Sequence, residues 1–274
     1  MKRLLRDAAR QGAVLGILLF CLAGGGLIRT SGAQPMEKET LVIGMELSYP
    51  PFEMTDEKGN PAGISVELAY ALAKALGKKI VVENIAFDGL IPALKTGKID
   101  LILSSMTATE ERMQSIDFSD PYLKTGLCLL VRRDSPVQSV ADLDGPGRVV
   151  AVKKGTTGHA YAAGNLPRAK VLVLDKEAAA VLEVIQGKAD AFIYDQMSVY
   201  RHWQRNRNAT RAILTPFRQE SWAIGLRKGN EELKAQINRF LREFRAKGGF
   251  DDLGDRFLRE PKEEFKRQGI PFYF

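Results

Sequence analysis

The chain of 274 residues is poor in the side chains that most enzymes use, with two cysteines and two histidines in all. Two cysteines without C-x-x-C spacing exclude a disulfide scaffold, a cysteine-knuckle zinc site and a dithiol redox centre. No G-x-S-x-G, G-x-x-x-x-G-K-[ST], G-x-G-x-x-G or H-E-x-x-H run is present. Sequence grounds for a hydrolase elbow, a phosphate-cradling loop, a dinucleotide fold or a zinc protease are therefore missing. His202 reads as a surface residue of a helix beside Trp203, and His159 follows a turn with no evident partner. No spaced metal-ligating cluster occurs, and neither a metal nor a cofactor is expected.

A hydrophobic fraction of 45% with 27% charged residues excludes disordered and fibrous classes. The net charge of +7, from 40 basic and 33 acidic side chains, raises the question of nucleic acid. Its location answers that. Residues 1–11 (MKRLLRDAARQ) carry four basic groups and one acid, and Arg29 lies just beyond. Between them, residues 12–28 are seventeen uncharged positions, five of them glycine. Ser31 and Ala33 stand at −3 and −1 of a cut after Ala33. Basic end, apolar run and small-residue site form a secretory signal over 1–33. More than half of the excess positive charge leaves with it, so nucleic acid is not expected as a partner.

The alternative for the leader is a retained anchor, since seventeen residues are marginal for about 30 Å of hydrocarbon. A lipoprotein at Cys21 is a third reading, disfavoured by the bulky Phe20 in front of it. Without the leader Cys128 is the sole thiol, and its apolar flanks (LCLLV) suit a buried strand.

Strand-length apolar runs alternate with helical patterns through the remainder. Strands are predicted at 41–45, 80–82, 100–104, 149–153, 170–174 and 191–194. Helices are predicted at 64–76, 89–95, 157–163, 176–186 and 196–205, with a long tail helix at 230–247. This is the grammar of an α/β fold with mainly parallel sheets. The segments LKTGKIDLIL (94–103) and VIQGKADAFI (184–193) repeat a helix end, a Gly-Lys-x-Asp turn and a strand. Two similar α/β lobes joined by two crossover strands, near 127–133 and 215–227, are the expected architecture. The expected limits are 37–128 with 220–274 for the first lobe and 129–219 for the second. A cleft between such lobes is a natural ligand site.

Carboxylate pairs at 110–111, 231–232 and 263–264 read as solvated first-turn charges. Ser104, Ser105 and Thr107 follow a strand, and Thr107 with Glu110 fits a capping box that places Arg112 in the first turns of a helix. On spacing alone, capping is the simpler account of these hydroxyls. Residues 155–158 (GTTG) make a turn suited to an anion. Asp195 ends a strand and is placed to cap the next helix. Tyr49 and Phe87 fit either a core or a ligand wall.

The segments LVIGMELSYPPFEM (41–54), GISVELAYALAKALG (63–77), FDGLIPALKTGKIDLILSSMTATEERMQSIDFSDPY (87–122), VAVKKGTTG (150–158) and GKADAFIYD (187–195) resemble the amino-acid-binding periplasmic solute-binding proteins of ABC transporters. The resemblance spans residues 41–260. It implies a type II periplasmic-binding fold that closes on its ligand, a permease in the inner membrane as partner, a monomer and no enzymatic activity. It further implies that Tyr49 and Phe87 sandwich the ligand side chain, and that Ser105 and Thr107 hold its ammonium and carboxylate. Arg112 then binds the carboxylate, Thr156 and Thr157 complete the anion site, and Asp195 pairs with the ammonium. Glu46, where many members carry Asp, would with Ser104 meet a cationic or amide side chain. A cationic or other polar amino acid is the leading expectation and glutamine the next. Two rivals share the fold class: a secreted lyase resembling cyclohexadienyl dehydratase, and a ligand-sensing module.

Overall fold

The structure is a computed structural model that describes residues 38–270; the expected leader at 1–33 lies outside the described residues. No helix among the described residues is long and apolar enough to cross a membrane.

The first lobe begins with β1 (Thr40–Met45) and a small antiparallel sheet of β2 (Ser48–Tyr49), β3 (Glu53–Thr55) and β4 (Pro61–Ala62). There follow α1 (Ile64–Ala75), β5 (Lys79–Asn84), α2 (Leu90–Lys95), β6 (Leu101–Ile102), the single turn α3 (Glu110–Met113) and β7 (Asp117–Phe118). In α1 the buried positions Ile64, Leu68, Ala69, Leu72 and Ala73 recur at helical spacing and face the sheet. Fully burying each leucine contributes about 1.5–3 kcal/mol.

The second sheet and the helices packed on it comprise β8 (Leu123–Arg132), β9 (Val149–Lys153), α4 (Thr157–Asn165), β10 (Lys170–Leu174), α5 (Glu177–Ile185), β11 (Ala191–Asp195), α6 (Gln196–Arg205) and β12 (Thr210–Trp222). The chain then returns through β13 (Gly225–Leu226) to α7 (Glu231–Ala246), α8 (Gly249–Phe257) and α9 (Arg259–Arg267). Along α7, Ile237, Phe240 and Leu241 are buried, as the spacing of the tail helix requires.

Two five-stranded sheets result, ordered β5-β1-β6-β13-β7 and β10-β9-β11-β8-β12. Each keeps a parallel core, but β13 runs antiparallel to β6 and β7, and β8 antiparallel to β11 and β12. The departure from mainly parallel sheets arises where the chain changes lobe. A strand entering from one lobe and another returning to it must run in opposite directions. The expected division points, 128/129 and 219/220, fall inside β8 and β12, which belong to the second sheet along their whole length. Their register shifts between Ile213 and Arg218, around Pro216, which has no N–H to give the ladder.

The internal repeat has a physical counterpart. Asp100 accepts from the Val42 amide at 2.9 Å, and Asp190 from the Val149 amide at 2.8 Å. In each case the acid's own N–H donates to the same residue's carbonyl, at 2.7 Å, and a cation pairs with the acid: Lys38 with Asp100, Arg148 with Asp190. One turn thus fixes the start of the leading strand in both lobes. Cys128 is a free, fully buried residue of β8.

Candidate functional site

All ten residues singled out in the sequence line one narrow cleft between the lobes. Glu46, Tyr49, Phe87, Ser104, Ser105, Thr107 and Arg112 come from the first lobe. Thr156, Thr157 and Asp195 come from the second.

The hydroxyl run after β6 forms the floor. Ser105 has φ of +47°, the left-handed conformation that side chains other than glycine seldom adopt. Ser104 Oγ accepts from the Glu46 amide at 2.9 Å and donates to Glu53 at 3.3 Å. Ser105 and Ser65 donate to the other Glu53 oxygen, at 3.0 and 2.7 Å. Burial pushes the Glu53 carboxyl up to about 8 in spite of these three hydroxyls, and the neighbouring charge of Glu46 adds to the effect.

Thr107 does not cap α3. The chain stays extended through Thr109 because Ala108 N–H bonds the Ser221 carbonyl at 3.1 Å and Thr107 bridges Trp222. Thr109 is the cap and accepts from the Arg112 amide at 3.2 Å. Arg112 therefore sits in the first turn, as expected, though from a different cap. Its guanidinium donates to the Thr107 carbonyl at 2.8 Å and, across the cleft, to the Gly155 carbonyl at 2.9 Å, over the Phe87 ring.

Thr156 caps α4, accepting from the His159 amide and donating to the Lys153 carbonyl at 2.7 Å, so its hydroxyl is taken up locally. Gly155 has φ of +74°, and a Cβ there would meet Asp88 at 3.0 Å. A Cβ on Gly158 would lie 2.7 Å from the Ile193 carbonyl oxygen, so glycine is what lets α4 lie on β11.

Asp195 caps α6, accepting from the Met197 and Ser198 amides at 3.0 Å each, and receives the Tyr49 hydroxyl at 2.6 Å. Burial raises its carboxyl to about 7, with Glu177 pushing the same way and the Tyr49 and Ser198 bonds and Arg201 opposing. Tyr49 stacks on Phe52, with ring centroids 5.4 Å apart, and meets Tyr194 and Trp222 edge-on. Tyr49 is both core and cleft wall.

Several residues of the site were not foreseen. Lys153, buried at the end of β9, pairs with the Glu46 carboxylate and lies 5.7 Å from the Phe87 ring centroid. Glu53, Tyr194, Glu220 and Trp222 also line the cleft. A signal for Glu220 and Trp222 existed: they occupy alternate, buried positions of one strand, where an acid is out of place. His202 is likewise buried rather than exposed. It lies on the inner face of α6 with its ring against Glu177, which also receives Ser198 and Arg201.

The cleft thus places a guanidinium and carboxylates from opposite lobes around one space, in contact with one another across it. Comparison with known proteins agrees in kind. The family described as bacterial extracellular solute-binding proteins, family 3, matches residues 41–260. The ABC transporter glutamine-binding protein of Bacillus subtilis is 31% identical over 83% of this chain and 84% of its own length. The L-arginine-binding protein of Pseudomonas aeruginosa is 32% identical over 79% and 86%. A crystal structure of an ancestral amino acid-binding protein, described as a precursor of cyclohexadienyl dehydratase, superposes with a TM-score of 0.74 at 36% identity. That likeness covers 80% of this chain and 95% of the ancestral one. The fold is that of the type II periplasmic binding proteins, and the chain belongs to family 3 of the bacterial extracellular solute-binding proteins.

Proposed function

We propose that this protein captures a polar amino acid outside the cytoplasm by closing its two lobes and delivers it to an ABC transporter permease. The lobes are taken as 37–128 with 220–274, and 129–219, and the protein as a periplasmic monomer exported by residues 1–33. The observation that carries the reading is the placement of Arg112 and Asp195, from opposite lobes, in one cleft. A zwitterion needs a bidentate cation for its carboxylate and an acid for its ammonium. Both are available together only when the lobes meet, so the ligand favours closure. Tyr49 and Phe87 flank the ligand side chain, Ser105, Thr107, Thr156 and Thr157 surround its charged ends, and Glu46 with Ser104 faces its tip.

A cationic tip is favoured by Glu46, the carboxylate that lines the cleft beyond the zwitterion clamp beside Ser104. A specific observation supports glutamine as a second reading: the Glu46 carboxylate is already paired with Lys153. An amide accepts from the amine and donates to the carboxylate, whereas a cation competes with Lys153. A thermal-shift screen of residues 34–274 against the standard amino acids tests the proposal. A ligand at 100 times its Kd stabilises by about 2.7 kcal/mol. A response to arginine, lysine or glutamine is expected. No response to any amino acid, with aromatic product formed from prephenate or arogenate, would replace binding by the lyase reading.

A further inference from the structure

Glu220 belongs neither to the zwitterion clamp nor to the group facing the ligand tip. It is buried near the end of β12, on the strand that carries the chain back to the first lobe. Its Oε2 accepts from Thr107 Oγ1 at 3.0 Å and from Thr157 Oγ1 at 2.9 Å, one hydroxyl from each lobe. A hydroxyl has a single proton to donate, so neither threonine donates to another anion while these bonds stand. Oε1 of the same carboxylate is buried without a hydrogen-bond partner. Such an oxygen is costly to bury. Consistent with that, burial raises the Glu220 carboxyl, against the pull of the two threonines, Arg218 and Arg112.

We propose that Glu220 sets the affinity of the cleft by occupying its anion end, holding the Thr107 and Thr157 hydroxyls that a ligand carboxylate on Arg112 requires. The inference rests on the amino-acid reading and adds to it a group of the chain that competes with the ligand. When a ligand carboxylate enters, the threonine protons turn from Glu220 to the newcomer. Two carboxylates then crowd beside one guanidinium, and like charges at that range disfavour each other. The cost is subtracted from binding. An amide at position 220 keeps the volume and an accepting oxygen, removes the charge and offers N–H donors to the ligand.

The test is titration calorimetry of the purified chain and its Glu220→Gln and Glu220→Ala variants with L-arginine and with L-glutamine. For whichever probe the unaltered chain binds, Glu220→Gln is expected to bind at least about tenfold more tightly, about 1.4 kcal/mol. Glu220→Ala, which also frees both hydroxyls, is expected to gain several-fold, and it decides the matter if the glutamine variant does not fold. A gain in affinity is not what damage to a structural residue produces. Equal or weaker binding by the folded variants overturns the inference and leaves amino-acid capture standing. Absence of binding to either probe, or to any other amino acid, by all three proteins overturns both.

Discussion

The Tyr49 hydroxyl donates to Asp195 at 2.6 Å, joining residues 146 positions apart and belonging to different lobes. The bond lies in a row of contacts across the cleft, with Lys153 on Glu46, Arg112 on the Gly155 carbonyl and Lys154 on Asp88 at 2.8 Å. The last pair is largely exposed and contributes at most about 1 kcal/mol. The Tyr49 and Lys153 contacts are sheltered, whereas the Arg112 bond is open to solvent. On the proposed function, closure and recognition would draw on the same side chains.

Glu53 should make stability fall as pH rises. Its carboxyl stands at about 8 in the folded chain against an ordinary value of 4.5. Between these values the unfolded chain has lost the proton and the folded chain retains it, so the contribution is complete below about pH 4.5 and lost on passing pH 8. Glu53→Gln is expected to flatten this fall. Denaturant melts should show the variant gaining on the unaltered chain by about 1–3 kcal/mol between pH 5 and pH 8, the scale of the desolvation penalty of a buried polar group.

Gly158→Ala is expected to destabilise by about 1–3 kcal/mol, the usual result of overpacking. The new methyl meets a backbone oxygen of β11 rather than a yielding side chain. Because β11 ends at Asp195, weaker ligand binding should accompany the lower melting temperature. Unchanged binding and stability would show that α4 shifts freely on the sheet.

Lys153 governs the choice of side chain if its amine holds Glu46 in the bound state as well. Lys153→Met keeps the apolar stem and frees the carboxylate. Calorimetry should find arginine or lysine binding about tenfold or more tighter relative to glutamine, a charge-assisted bond being worth roughly 1.5–3 kcal/mol. A selectivity ratio that does not move would place the ligand tip elsewhere.

Local patterning carried most of the fold. The strands at 149–153 and 170–174 and the helix at 196–205 stand where the alternation put them. Gly, Lys and Asp at 97, 98 and 100 and at 187, 188 and 190 marked a repeated turn whose hydrogen bonds recur in both lobes. What escaped was non-local. His202 looks exposed until α6 is laid on its sheet and Glu177 comes up from α5. Glu53, Lys153 and Glu220 acquire meaning from partners 51 or more residues away. The Thr107 cap failed because β12, far along the chain, keeps residues 107–109 extended.

The central claim is that Arg112 and Asp195 hold the two ends of an amino acid, and calorimetry on two variants tests it most directly. Asp195→Asn is preferable to alanine because it preserves the cap of α6, whose loss alone costs about 1 kcal/mol. With the ligand found by thermal shift, Arg112→Ala and Asp195→Asn should each weaken binding by about a hundredfold or more, as loss of a charged partner does. Their melting temperatures without ligand should remain near that of the unaltered chain. Near-native affinity in both folded variants would contradict the account.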